Sequence, residues 1–269
     1  MAQTIDPRTR TLVFVNIIIS CVATSMLATA LTTALPPIME DLAIDVSTGQ
    51  WLTSGYSLAM GICMPLTAFL ITRFPTRRLY LAAIVCFIAG LLVSVAAPNF
   101  PTMMVGRVLQ ACGNGVIGSM SQVVLLTVYP AEKRGSIMGW YGLSVGASPV
   151  VAPTFAGILV DTLGWRWIFY AAIAIMVVAL VFALKVFSNV LDTHEQRFDV
   201  PSFALSALAF GGITLGVGNA SAYGFASAAS LAPLGIGVAT GAVFAWRQFK
   251  LKDDAFLDLR ILSNRNFAL

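Results

Sequence analysis

The sequence predicts an all-α integral membrane protein of about eight spans with both termini in the cytoplasm. Three observations carry that reading: a composition too poor in charge for water, apolar runs long enough to cross a bilayer, and cations gathered on alternate connections. Of 269 residues, 58% are hydrophobic and 10% are charged, where a soluble domain averages ~25% charged and ~45–50% apolar residues. Such a surface excludes a soluble enzyme, and the same hydrophobicity excludes a disordered chain.

A transmembrane helix needs ~20 mostly apolar residues, because ~30 Å of hydrocarbon is crossed at ~1.5 Å per residue. The first segment to qualify is Leu12–Ala34. It follows a short polar stretch holding Arg8 and Arg10 and is too long for a signal-peptide core, so it is read as a retained span. Trp51–Thr72 and Leu79–Ala97 come next, joined by the tight basic loop Arg73-Phe-Pro-Thr-Arg77-Arg78. The fourth span, Thr102–Val128, carries an arginine, and the fifth, Ile137–Val160, carries two prolines among small residues. Trp167–Phe187, the Gly- and Ala-rich Ser202–Tyr223, and Ala228–Phe249 complete the set. The runs are continuous rather than alternating over ~10 residues, which argues for helices over barrel strands.

The placement of cations tests the number of spans. With the amino terminus inside, the cytoplasmic segments hold Arg8, Arg10, Arg73, Arg77, Arg78, Lys133, Arg134, Lys185, Arg197, Arg247, Lys250, Lys252, Arg260 and Arg265. The opposite side holds Arg166 alone, and Arg107 lies within a span. One miscounted span would invert every later loop and destroy this segregation. The net charge of +4 is therefore topology, not a nucleic-acid-binding stripe. Cys21, Cys63, Cys86 and Cys112 all sit in apolar stretches without CxxC spacing, so neither a disulfide framework nor a metal site is expected. The chain has no phosphate-cradling P-loop and no Ser/His/Asp set with a plausible catalytic histidine, and no cofactor is expected.

Residues that are costly where they sit point to function. An unpaired cation at the position of Arg107 costs up to ~2.5–3.5 kcal/mol on insertion scales and usually faces a bundle interior. Gln110 and Gly113 follow three and six residues on, giving one face an arginine, an amide and a small residue. Of the twelve acids none falls near the middle of a span, and the single histidine, His194, is in a loop. A proton-coupled cycle normally needs a titratable group at depth, so such a group must come from elsewhere. Tyr56, Gln122 and Asn16 are candidate cavity-lining residues. In the fifth span, Pro149 and Pro153 remove two backbone donors from one face, while Gly146 and Gly157 leave room for another helix, together predicting a bent helix at a moving interface. Arg73, Arg77 and Arg78 set orientation; a gating role would require acidic or helix-C-terminal partners. Trp51, Trp140, Trp165, Trp167 and Trp246 lie near predicted boundaries, where belt anchoring explains most of them.

These features together resemble the major facilitator superfamily, and most closely its fourteen-span drug:proton antiporter branch. The resemblance rests on Ala34-Leu35-Pro36 ending the first helix, Arg107-Val-Leu-Gln110-Ala-Cys-Gly113 in the fourth, Pro149…Ala152-Pro153…Ala156-Gly157 in the fifth, and Gly164-Trp-Arg-Trp-Ile-Phe169 entering the sixth. It implies a six-helix transporter bundle over 1–187, a cytoplasmic loop over 188–201, two additional helices over 202–249, and a tail over 250–269 leading to an absent second bundle. Arg107 and Gln110 then belong to the coupling or cavity-lining machinery. Two departures matter: the loop after the second helix lacks the family's Asp, with Thr72 preceding Arg73, and Leu27 stands where this branch usually has an acid. The resemblance implies a truncated or split secondary transporter, exporting drugs or small metabolites by alternating access. Its setting is the bilayer of the bacterial inner membrane, and a separate carboxyl-terminal half or a second copy completes the substrate cavity. The alternative is a non-transporting membrane fragment or modulator.

A cysteine placed beside Arg77 or Lys133 in a cysteine-free background is expected to resist a membrane-impermeant maleimide in intact cells. It should react in inside-out vesicles. Labelling from outside the cell would invalidate the topology.

Overall fold

The computed structural model describes residues 6–191 and 199–251. His194, Arg197, Lys252, Arg260, Arg265 and most of the predicted tail lie outside the described residues. Among those described there are eight helices and no strand: α1 (Pro7–Asp41), α2 (Val46–Arg73), α3 (Thr76–Val95), α4 (Phe100–Val128), α5 (Ala131–Leu163), α6 (Arg166–Val186), α7 (Val200–Tyr223) and α8 (Ala228–Leu251). Each is long and apolar enough to cross a membrane. Most overrun the apolar runs that predict them, because a helix satisfies its own backbone in headgroups and water as well as in hydrocarbon.

One expectation needs correcting. The first helix does not end at Pro36: α1 continues through Pro36 and Pro37 to Asp41. Two adjacent prolines release only the carbonyls of Thr32 and Thr33, four residues back, and Thr32 is exposed. Continuing the helix keeps Ile38 in register with Ala34 and Leu31, all three fully buried, and that burial outweighs two lost bonds near the helix end.

The chain forms two compact units. The first comprises Met1–Tyr56 with Phe74–Asp192, and the second Ser57–Arg73 with Thr193–Leu269, so α2 contributes its first part to one and its remainder to the other. In the first unit α1 packs against α4, α5 and α6, and α3 against α4 and α6. The approach of α3 to α4 is set by glycine. A Cβ on Gly90 would stand 2.6 Å from the Gly106 carbonyl oxygen and 2.7 Å from the Gln110 nitrogen; one on Gly113 would stand 2.7 Å from the Ala83 carbonyl oxygen. Such contact between backbones is how membrane helices associate without a hydrophobic drive between them.

In the second unit α7 and α8 form a hairpin on the same principle, with Gly212 and Gly237 face to face. Pro233 withholds a donor from the Ala229 carbonyl, and Asn219 of α7 donates to it at 2.9 Å. At the other end Asp199 caps α7 and pairs with Arg247 of α8 at 3.0 Å. Burial opposes ionisation of Asp199, but hydrogen bonds from Ser202 and Arg247 prevail and hold its carboxyl below the usual range.

Gly90→Ala is expected to destabilise the protein by about 2–3 kcal/mol, the upper range for overpacking, because both obstructing atoms are backbone. Gly118→Ala, whose Cβ meets nothing within 4 Å among the described residues, should be near neutral. Detergent unfolding of the two variants checks this; equal stabilities would contradict the packing.

Candidate functional site

The site is built on α4. Asn99 caps that helix, its side-chain oxygen accepting from the Thr102 amide at 3.0 Å, and the register so set puts Arg107, Gln110 and Asn114 on one side. Arg107 is 1% exposed, the one charged residue fully buried among those described. Neither ion pair found among the described residues involves it. Its partners are neutral: Nε donates to the Leu52 carbonyl of α2 at 3.0 Å, Nη1 donates to Gln110 Oε1 at 2.6 Å, and the guanidinium lies 4.0 Å from the centre of the Tyr56 ring. Gln110 then donates from Nε2 to the Gly90 carbonyl at 3.1 Å and to Ser94 Oγ at 2.8 Å, both on α3. The Tyr56 hydroxyl accepts from Asn114 Nδ2 at 2.8 Å. Hydrogen bonds to a charged donor are stronger than neutral ones, and a guanidinium over a tyrosine face adds a further attraction. The arrangement holds a positive charge inside a span without neutralising it.

The other candidates lie elsewhere. Asn16 of α1 donates to the Ala179 carbonyl of α6 at 2.8 Å, while its buried Oδ1 has no partner among the described residues. Gln122 is exposed near the inner end of α4 and interacts with Tyr141 of α5. The structure therefore brings Tyr56 to Arg107 and Gln110, but does not join Asn16 or Gln122 to them. Gly113 serves the α3–α4 contact. Pro149 withholds a donor from the Val145 carbonyl, and Ser25 of α1 donates to it at 3.3 Å. Pro153 is exposed, and among the described residues nothing lies within 4 Å of where a Cβ would stand on Gly146 or Gly157. Leu27 lines an apolar cavity of about 240 Å³ with Met26, Ala152, Ala156 and Ile168.

Both ends of the first unit are tied. At the inner end Arg77 donates from Nη2 to the Leu184 carbonyl in the last turn of α6 at 2.7 Å, and its amide donates to Asn189 Oδ1 at 3.2 Å. A cation there complements the helix C-terminus, although Arg77 is exposed like Arg73 and Arg78. At the other end Asp41 pairs with Arg166 at 2.9 Å and accepts from Trp165 Nε1 at 3.2 Å. Trp165 is 5% exposed, so unlike Trp51, Trp140, Trp167 and Trp246 it belongs to a packed clamp and not to a membrane belt. Asn114 is the residue that sequence reasoning missed. Its spacing of seven from Arg107 was visible, whereas the ring joining the two comes from another helix. No group of three His, Cys, Asp or Glu side chains able to hold a metal occurs among the described residues.

Fold and site define a multi-pass helical membrane protein with a charged group held inside a span. The profile of the Major Facilitator Superfamily matches residues 14–246, and the chain belongs to that family, one of transporters and not of enzymes. It is 39% identical over 241 residues to an MFS-type transporter, YcnB, of Bacillus subtilis, covering 90% of this chain and 51% of that one. It is 35% identical to the lincomycin resistance protein LmrB of Listeria monocytogenes, covering 90% and 51%. It is 28% identical to a multidrug resistance protein B homolog of Mycobacterium tuberculosis, covering 92% and 47%. The chain thus spans about half the length of the curated relatives it matches. Among solved structures, a POT family peptide transporter in complex with sulfate superposes with a TM-score of 0.66 at 14% identity, covering 91% of this chain and 53% of that one, which is a likeness of fold.

Proposed function

We propose that this chain provides the amino-terminal half of a secondary transporter that exports drugs or small metabolites from bacteria across the inner membrane by alternating access. Residues 1–187 act as its six-helix bundle and 202–249 as an additional helix pair. The other half of the substrate cavity comes from sequence beyond this match, in the same polypeptide, a separate one or a second copy. The observation that carries the reading is Arg107. A guanidinium kept fully buried among neutral partners is expensive, and within spans such residues mark substrate or ion paths. The resistance phenotypes in the names of LmrB and the multidrug resistance homolog support export. Acidic residues in the described helices, such as Glu40, Asp41 and Asp161, lie at helix ends, so a coupling carboxylate at depth belongs to the other half.

In the full-length transporter, assayed in inside-out vesicles, Arg107→Ala is expected to lower the initial rate of drug uptake at least about ten-fold, equivalent to ~1.4 kcal/mol. Arg107→Lys keeps the charge but loses the fork that reaches Leu52 and Gln110 together, and should fall between. Normal transport by Arg107→Ala, at matched expression, would remove Arg107 from the mechanism.

A further inference from the structure

Asn114 stands midway along α4, two turns below Arg107, and unlike Arg107, Gln110 and Tyr56 it is only partly buried. Gly118 and Gln122 follow at intervals of four, which keeps them on the same side of the helix. Gly118 is partly exposed with open space beside it, and Gln122 is exposed. Amide side chains that stay accessible along one side of a span suit a face that water reaches. An aqueous crevice along this side of α4, from Asn114 toward the inner end, would account for that exposure. The hydroxyl of Tyr56 lies at the head of that crevice, bonded to Asn114 at 2.8 Å, while the ring of Tyr56 carries the Arg107 guanidinium.

The electrostatics of this point are one-sided. Seven residues of helix put Arg107 about 10 Å from Asn114, close enough in a low-dielectric surrounding for its unpaired charge to act there. No carboxylate of the first unit lies in the middle of a described span: Glu40 and Asp41 end α1, Glu132 begins α5, and Asp161 is in the last turn of α5. A cation at Asn114 would meet repulsion from Arg107, and among the described residues of the first unit no carboxylate at that depth offsets it. An uncharged group meets an amide and a phenol, which together both donate and accept.

Resting on the export reading above, we propose that Asn114, with the Tyr56 hydroxyl, is the specificity-determining point of this bundle, and that it reads an uncharged hydrogen-bonding group of the substrate and disfavours a cation. Occupancy of that point bears on Arg107 directly, because a substrate that competes for the Tyr56 hydroxyl shifts the ring on which the guanidinium rests.

Two measurements on the full-length protein test this. In a cysteine-free background, Asn114→Cys is expected to react with a water-soluble methanethiosulfonate at least ten-fold faster than Val178→Cys, an exposed apolar position of α6; equal rates would overturn the crevice. In transport by inside-out vesicles, Asn114→Asp should raise the preference for tetraphenylphosphonium over neutral chloramphenicol at least five-fold, while Asn114→Ser leaves the ratio unchanged. A parallel loss of both probes in Asn114→Asp, with normal folding, would make Asn114 merely structural and overturn the proposal. Failure of the unmodified protein to transport either probe, with the thiol at position 114 still reactive, sinks the export reading and the specificity role together, and leaves the crevice standing.

Discussion

Hydrocarbon offers no water to a polar group, and every feature of this chain answers to that constraint. Arg107 meets it most severely, since a guanidinium has five donors and no way to shed its charge. The answer is a carbonyl from α2, an amide from its own helix and an aromatic face. The same constraint explains smaller details. Where Pro149 and Pro233 leave carbonyls without helical donors, Ser25 and Asn219 reach across from neighbouring helices to supply them. At these two positions the carbonyl that proline leaves without a helical donor is bonded from a neighbouring helix.

The site depends on the packing beneath it. Gln110 reaches the Gly90 carbonyl and Ser94 because Gly90 and Gly106 let α3 and α4 touch backbone to backbone. A larger residue at either position would push α3 away and leave Gln110, and then Arg107, short of partners. Stability and site are thus coupled through two glycines that never touch the charge. The end clamps act on the same unit: Arg77 on the α6 C-terminus, and Asp41 with Trp165 and Arg166 at the opposite end.

Much of this was legible in the sequence, and the reasons are physical. Span number follows from apolar length, and eight runs correspond to eight helices. Arg107 and Gln110 stand out because their placement is costly, and cost is visible without coordinates. Helix ends were less legible: Pro36 and Pro37 read as a stop, yet burial of Ile38 carries α1 onward. Partners in other helices were not legible at all, because periodicity fixes a residue's face but not its depth against a neighbour. That is why Asn114 was overlooked beside Tyr56, and why neither the bond of Asn16 to α6 nor the packing of Trp165 against the Asp41–Arg166 pair could be read from the sequence. The loop arginines show the same limit: their orientation role is written in charge, while the grip of Arg77 on Leu184 is written in tertiary structure.

Arg107 is held by neutral hydrogen bonds, a principal one of them to Gln110, and a double-mutant cycle between the two side chains measures how far each depends on the other. Unfolding of the wild type, Arg107→Leu, Gln110→Leu and the double variant in detergent should give a coupling of about 1–3 kcal/mol, because each single change strands a buried group that the double change removes. Additivity to within about 0.5 kcal/mol would mean that the two side chains do not support one another, and the account of the site would fail.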